Sequence, residues 1–109
     1  MDERERRLAQ NEALFREVNE GAADVQTHWA EAASMGIICE CGRETCVATI
    51  QVGPGAYEAV RAHPARFIVL DGHEFPNVEQ IVERSPGYLV VEKIGDSRAY
   101  VEHLDPRSR

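Results

Sequence analysis

Apolar residues recur with a helical period over residues 4–33. Leu8, Phe15, Val18, Ala22, Val25, Trp29 and Ala32 follow one another at alternating spacings of three and four, with Asn11 filling one polar step. That spacing puts them on one stripe of a helix. Leu14 widens the stripe, and Glu12 and Arg16, four apart, are expected to pair on the exposed face. Gly21 interrupts the pattern at a cost of about 1 kcal/mol relative to alanine, and it marks a place near Glu20 where the segment could split in two. The stripe is expected to pack on the protein's own sheet. A helix pair across a homodimer is the alternative use of the same residues.

After Met35-Gly36 the helical pattern stops, and Ile37 and Ile38 lead into a cysteine cluster. Residues 47–52 (Val-Ala-Thr-Ile-Gln-Val) are rich in β-formers and read as a strand. Gly53-Pro54-Gly55 opens a short helix over 55–62, which His63-Pro64 stops. Phe67-Ile68-Val69-Leu70 predicts a buried strand near 66–70, followed by an Asp71-Gly72 turn. Residues 78–83 fit a helix or a strand. The compact Ser85-Pro86-Gly87 turn and the strand-like run at 88–94 favour a hairpin. Asp96 or Ser97 is placed to cap a last helix over 97–104, ended by Asp105-Pro106. The expected fold is α+β: a long N-terminal helix packed on a small, mostly antiparallel sheet. It is expected to form one domain over 1–109, with a helical segment at 1–34 and an α+β core at 35–109 tied to the end of the first helix by a metal-binding loop.

Composition narrows the function. A chain of 109 residues forms only a thin core. A net charge of −7 repels phosphate backbones, and no stripe of basic and aromatic residues overrides it, so nucleic acid is not an expected partner. Apolar runs of a few residues fall far short of the roughly 20 that span a bilayer, so no membrane partner is expected. The mixed-charge start, Met-Asp-Glu-Arg-Glu-Arg-Arg, has no apolar stretch behind it, which argues against a signal peptide and for the cytoplasm.

The chemically specific stretch is Cys39-Glu40-Cys41-Gly42-Arg43-Glu44-Thr45-Cys46, which holds all three cysteines of the chain. An odd number of thiols in a reducing compartment does not make a disulfide framework. Three thiolates in one tight turn repel one another and stay protonated unless a cation is bound. Gly42 permits a left-handed turn after Cys41. The pattern therefore predicts three ligands of one Zn2+, which takes four ligands in a tetrahedron. His73, after a strand and an Asp-Gly turn, is the expected fourth ligand. His63 is second, and water or a carboxylate is third. His28 and His103 read as solvated helical positions.

The string Cys-x-Cys-Gly-x-x-x-Cys, here Cys39, Cys41, Gly42 and Cys46, resembles the post-SET motif of histone lysine methyltransferases. That likeness implies that this spacing holds three zinc thiolates and takes its fourth ligand from a distant segment. The chain is too short to hold the methyltransferase domain, so no activity carries over. The chain as a whole resembles a family of small uncharacterised bacterial proteins. The likeness runs through Asn11–Asn19, the cysteine motif, Pro64-Ala65-Arg66-Phe67, Gly72-His73-Glu74 and Tyr88–Lys93. It implies one intact domain and no particular activity.

Three functions follow from this reading. The first is a structural zinc site in a protein-interaction or regulatory module without catalytic residues, with a partner or a second copy on the N-terminal helix. The second is a metal-dependent hydrolase with water in the fourth position and Glu74 as general base. Three electron-donating thiolates and the lack of any other catalytic constellation weigh against it, and Glu74 and Asp71 read as turn acids. The third is a thiol-based redox sensor in which Cys39 exchanges with Cys41 or Cys46.

Overall fold

The computed structural model describes residues 1–25 and 34–108. Helix α1 runs unbroken over Glu3–Val25, so Gly21 does not split it. The last part of the expected helix, with His28, Trp29 and Ala32, lies outside the described residues. Strand β1 (Met35–Ile38), not expected from the sequence, pairs antiparallel with β2 (Thr49–Val52). It is only four residues long and contains Gly36, too little alternation to register as a strand. Helix α2 (Pro54–Arg61) leads to β3 (Arg66–Val69), followed by β4 (Glu79–Ser85), β5 (Tyr88–Lys93) and α3 (Asp96–His103). The β-strands form two antiparallel sheets, β1-β2 and β3-β5-β4, in an α+β fold with its long helix at the N-terminus.

The ambiguous segment at 78–83 is a strand. Pro86 and Gly87 sit between the paired residues Ser85 and Tyr88, and Gly87 adopts φ 90°, which suits glycine in a tight turn. A bulge at Val82 shifts the register between Ile81 and Glu83. The last helix does not take the expected side-chain cap. Gly95 holds the cap position without a side-chain bond, and the Ser97 hydroxyl donates back to the Ile94 carbonyl at 3.1 Å. The core gathers Tyr57 and Val60 from α2, Phe67–Val69 from β3, Leu89–Val91 from β5, and Ile37, Ile50 and Val52 from the small sheet.

The largest departure from the sequence reading is the rotation of α1. Its buried stripe is Ala9, Glu12, Ala13, Arg16, Asn19 and Glu20, a regular helical face made mostly of polar residues. The expected apolar stripe is turned away: Leu14 is 54% and Val18 51% exposed, while Leu8, Phe15 and Ala22 are half-buried. Glu12 and Arg16 do not pair with each other on the surface, because each is fully buried against other partners. The Arg16 guanidinium donates to the Pro64 and Val101 carbonyls at 2.6 and 3.0 Å and lies over the Phe67 ring, 4.4 Å from its centroid. Lys93 donates to Glu12 at 2.8 Å and to Glu79 at 3.2 Å. Arg61 bonds both Glu20 and Asp105. Buried charges are tolerated only when paired and hydrogen-bonded in this way. Among the described residues, no helix is long and apolar enough to cross a membrane.

Candidate metal centre

The ten residues between β1 and β2 form the candidate metal loop, and the hairpin fixes where it starts. The Cys39 amide donates to the Ala48 carbonyl at 3.0 Å, extending the β1-β2 ladder by one step. The Glu40 amide then donates to the Ile68 carbonyl of β3 at 2.9 Å, so the loop leaves its own hairpin and lies along the larger sheet. In extended chain, neighbouring side chains alternate in direction. Cys39 and Cys41 share one side, and Glu40 faces the interior, fully buried. Its carboxylate accepts from Asn19 Nδ2 at 2.8 Å and from the Ile68 amide at 2.9 Å. Asn19 also takes the Ile38 amide and donates to the Ile38 carbonyl, each at 3.0 Å. Burial pushes the Glu40 carboxyl upward, against these hydrogen bonds.

Gly42 makes the next step possible. It adopts φ 78°, a left-handed conformation open to glycine. A Cβ there would stand 2.8 Å from Glu12 Cγ and 2.9 Å from Leu8 Cδ1, so the loop backbone presses directly on α1. Asn11 Nδ2 donates to the Gly42 carbonyl at 3.2 Å. The loop is thus attached to the body of α1; the expected end of the helix, near residue 33, lies outside the described residues. The Cys46 amide closes a turn onto the Arg43 carbonyl at 3.0 Å.

His73 arrives from the β3–β4 connection. Its amide donates to the Leu70 carbonyl at 3.0 Å with Gly72 at φ 89°, a turn that needs a glycine at this position. The Leu70 amide donates to Cys39 Sγ at 3.3 Å. His73 Nδ1 lies 3.8 Å from Cys39 Sγ and 3.6 Å from Cys46 Sγ. The ligand atoms of Cys39, Cys41, Cys46 and His73 all lie within 4.8 Å of one another. Cys39 and Cys41 are buried, while Cys46 and His73 are half-buried. Arg43 stacks on the Phe75 ring, 4.4 Å from its centroid, and joins the two loops beside the cluster.

The electrostatics favour a thiolate at one sulfur. The Cys41 thiol is held down by the hydrogen bond it accepts from Cys39; burial opposes this, and the Arg43 amide, His73 and Cys46 assist. Cys39 is pushed the other way by that same bond and by burial. Three sulfurs and an imidazole nitrogen converging at this distance form a group that could hold a metal ion. His63 is not part of it. Its amide donates to the Val60 carbonyl at 3.0 Å, and it lines a separate cleft with Arg66 and Glu83. His103 is exposed at the end of α3, and His28 lies outside the described residues.

Glu40 and Asn19 carry no signal of a role in their residue types, yet they hold the extended segment that carries Cys39 and Cys41. The available signal was positional. An acid between two ligands of an extended segment points away from the metal, toward the interior. Compared with protein-family models, curated proteins and solved structures, the chain finds no match in any of the three, and the candidate centre therefore rests on its own geometry.

Proposed function

We propose that the protein is a small zinc-binding protein whose closed Cys39, Cys41, Cys46 and His73 site is structural, holding together a protein-interaction or regulatory module. The observation that carries this reading is the position of His73 Nδ1. Zn–S bonds near 2.3 Å and Zn–N bonds near 2.05 Å at tetrahedral angles imply a sulfur–nitrogen edge of about 3.6 Å. The edges from His73 Nδ1 to Cys46 and Cys39 are 3.6 and 3.8 Å, and all four ligand atoms lie within 4.8 Å of one another. Thiolate and imidazole are the donor types zinc prefers in structural sites. A histidine in the fourth position leaves no open coordination for substrate. The Glu74 carboxylate accepts the Gly72 amide at 2.8 Å, which occupies it as a turn acid and supports the structural reading over hydrolysis.

Native mass spectrometry tests the assignment. The wild-type chain is expected to carry one zinc. His73→Ala is expected to weaken zinc binding by more than the roughly 10–100-fold typical of losing a group that merely hydrogen-bonds a ligand. His63→Ala is expected to leave it unchanged. A wild-type chain that binds no zinc removes the proposal, and tight zinc in His73→Ala removes the closed site.

A further inference from the structure

The outer edge of α1 combines two features. Arg4, Arg7, Asn11, Leu14 and Val18 follow at spacings of three and four and so form one helical face, roughly 21 Å long at 1.5 Å per residue. Its first half lines a cleft of about 320 Å³ with Leu8 on the helix and Gly42 and Glu44 on the metal loop. Its second half presents Leu14 and Val18, each about half exposed at 54% and 51%.

The charge of this face is out of character for the chain. The net charge is −7, and Arg61, Arg66, Lys93, Arg98 and Arg107 are all held in ion pairs. Among the described residues, Arg4 and Arg7 take no ion pair, in common with Arg16, Arg43 and Arg84, and these two line one cleft together. Glu44 is the one acid lining the cleft, so its charge balance remains positive. The two guanidinium groups call for carboxylates and the exposed Leu14 and Val18 for apolar cover, so one occupant that carries both matches the whole face.

We propose that this face and the metal loop form a docking groove for an acidic amphipathic helix of a partner protein. The acidic end of the partner lies over Arg4 and Arg7, where carboxylates meet the guanidinium forks. Its apolar residues cover Leu14 and Val18 in the helix-in-groove mode. Gly42 and Glu44 form the opposite wall, so the groove depends on a folded metal loop. This inference rests on the structural zinc reading.

The test screens the zinc-loaded full chain against a displayed library of random peptides, with zinc content measured in parallel. Enriched peptides are expected to combine clustered Asp or Glu with apolar residues at helical spacing. A synthesised hit is expected to bind at least tenfold more weakly to the Arg4→Glu/Arg7→Glu and Leu14→Ser/Val18→Ser variants, and to weaken as salt rises. Both variants alter exposed positions and are expected to keep their zinc and their unfolding midpoint. The docking proposal is overturned if no peptide is enriched, if enriched peptides lack acids, if binding ignores both variants, or if the face instead pairs two copies of the chain in sedimentation. Failure with zinc bound sinks the groove alone; absence of zinc sinks the reading beneath it.

Discussion

Withdrawing zinc with a strong chelator is expected to lower the thermal unfolding midpoint by roughly 15–30 °C. The estimate combines two terms. A ligand that binds only the folded state at 1,000 times its dissociation constant contributes about 4 kcal/mol. In a domain of this size each kilocalorie per mole moves the midpoint by roughly 4–8 °C. The loss should begin at the loop. Without a cation the thiolates repel one another, and the amides of Cys39, Glu40 and His73, now bonded to Ala48, Ile68 and Leu70, lose their fixed geometry. Hydrogen exchange read beside the melt should therefore show protection falling first at these amides. The buried β3 and β5 segments Phe67–Val69 and Leu89–Val91 have apolar packing of their own and should hold longer. An unchanged midpoint and unchanged loop protection in chelator would show that the metal does not hold the fold.

Lys93→Met is expected to cost about 3–5 kcal/mol, the usual penalty for removing one partner of a buried ion pair. Lys93 is 1% exposed, between Glu12 at 0% and Glu79 at 3%. The variant leaves two carboxylates facing each other without a cation. The defect should depend on pH, and its sign follows from Glu12. Burial raises the Glu12 carboxyl well above its ordinary value, the charge of Glu79 adds to this, and Lys93 opposes it. A carboxyl raised in the folded state favours folding when protonated, and that contribution is lost as pH rises from the unfolded value of 4.5 through the folded one. Removing Lys93 raises the folded value further. The stability difference from wild type should therefore shrink at pH 5 and grow at pH 8, as read by urea denaturation of both proteins at each pH. Replacing all three members together, with Glu12→Leu, Lys93→Met and Glu79→Leu, should recover most of the loss, since no buried charge then lacks a partner. A loss of less than 1 kcal/mol at pH 8 in Lys93→Met would show that the triad is not energetically coupled.

The elements were legible where local chemistry decides them. Proline and glycine punctuation marked α2 and the β4–β5 hairpin, and the cysteine cluster with the Asp71-Gly72 turn pointed to His73. The rotation of α1 was not legible, because its inward face is chosen by residues far along the chain. Lys93 lies 81 residues from Glu12, and Arg61 lies 41 from Glu20. Hydropathy ranks Leu14 and Val18 above Glu12, Arg16 and Glu20, and no local rule supplies the partners that make those charges acceptable inside. Glu40 was hidden for the same reason. A glutamate reads as surface until an Asn19 arrives to hold it.

The polar attachment of α1 also bears on the order in which the chain folds. Apolar surfaces associate in many orientations, so a greasy helix adheres to any collapsed globule. The inward face of α1 offers little apolar area, and its bonds form only when Pro64, Val101, Lys93, Arg61 and Glu40 are already in place. Such contacts carry large loop-closure costs and are expected to form late. Destabilising changes on this face should thus speed unfolding and leave the folding rate nearly untouched; a folding rate that falls in step with stability in stopped-flow kinetics would place the helix in the nucleus instead. α1 then acts as a proofreader of the finished core: a misassembled one offers it nothing to hold.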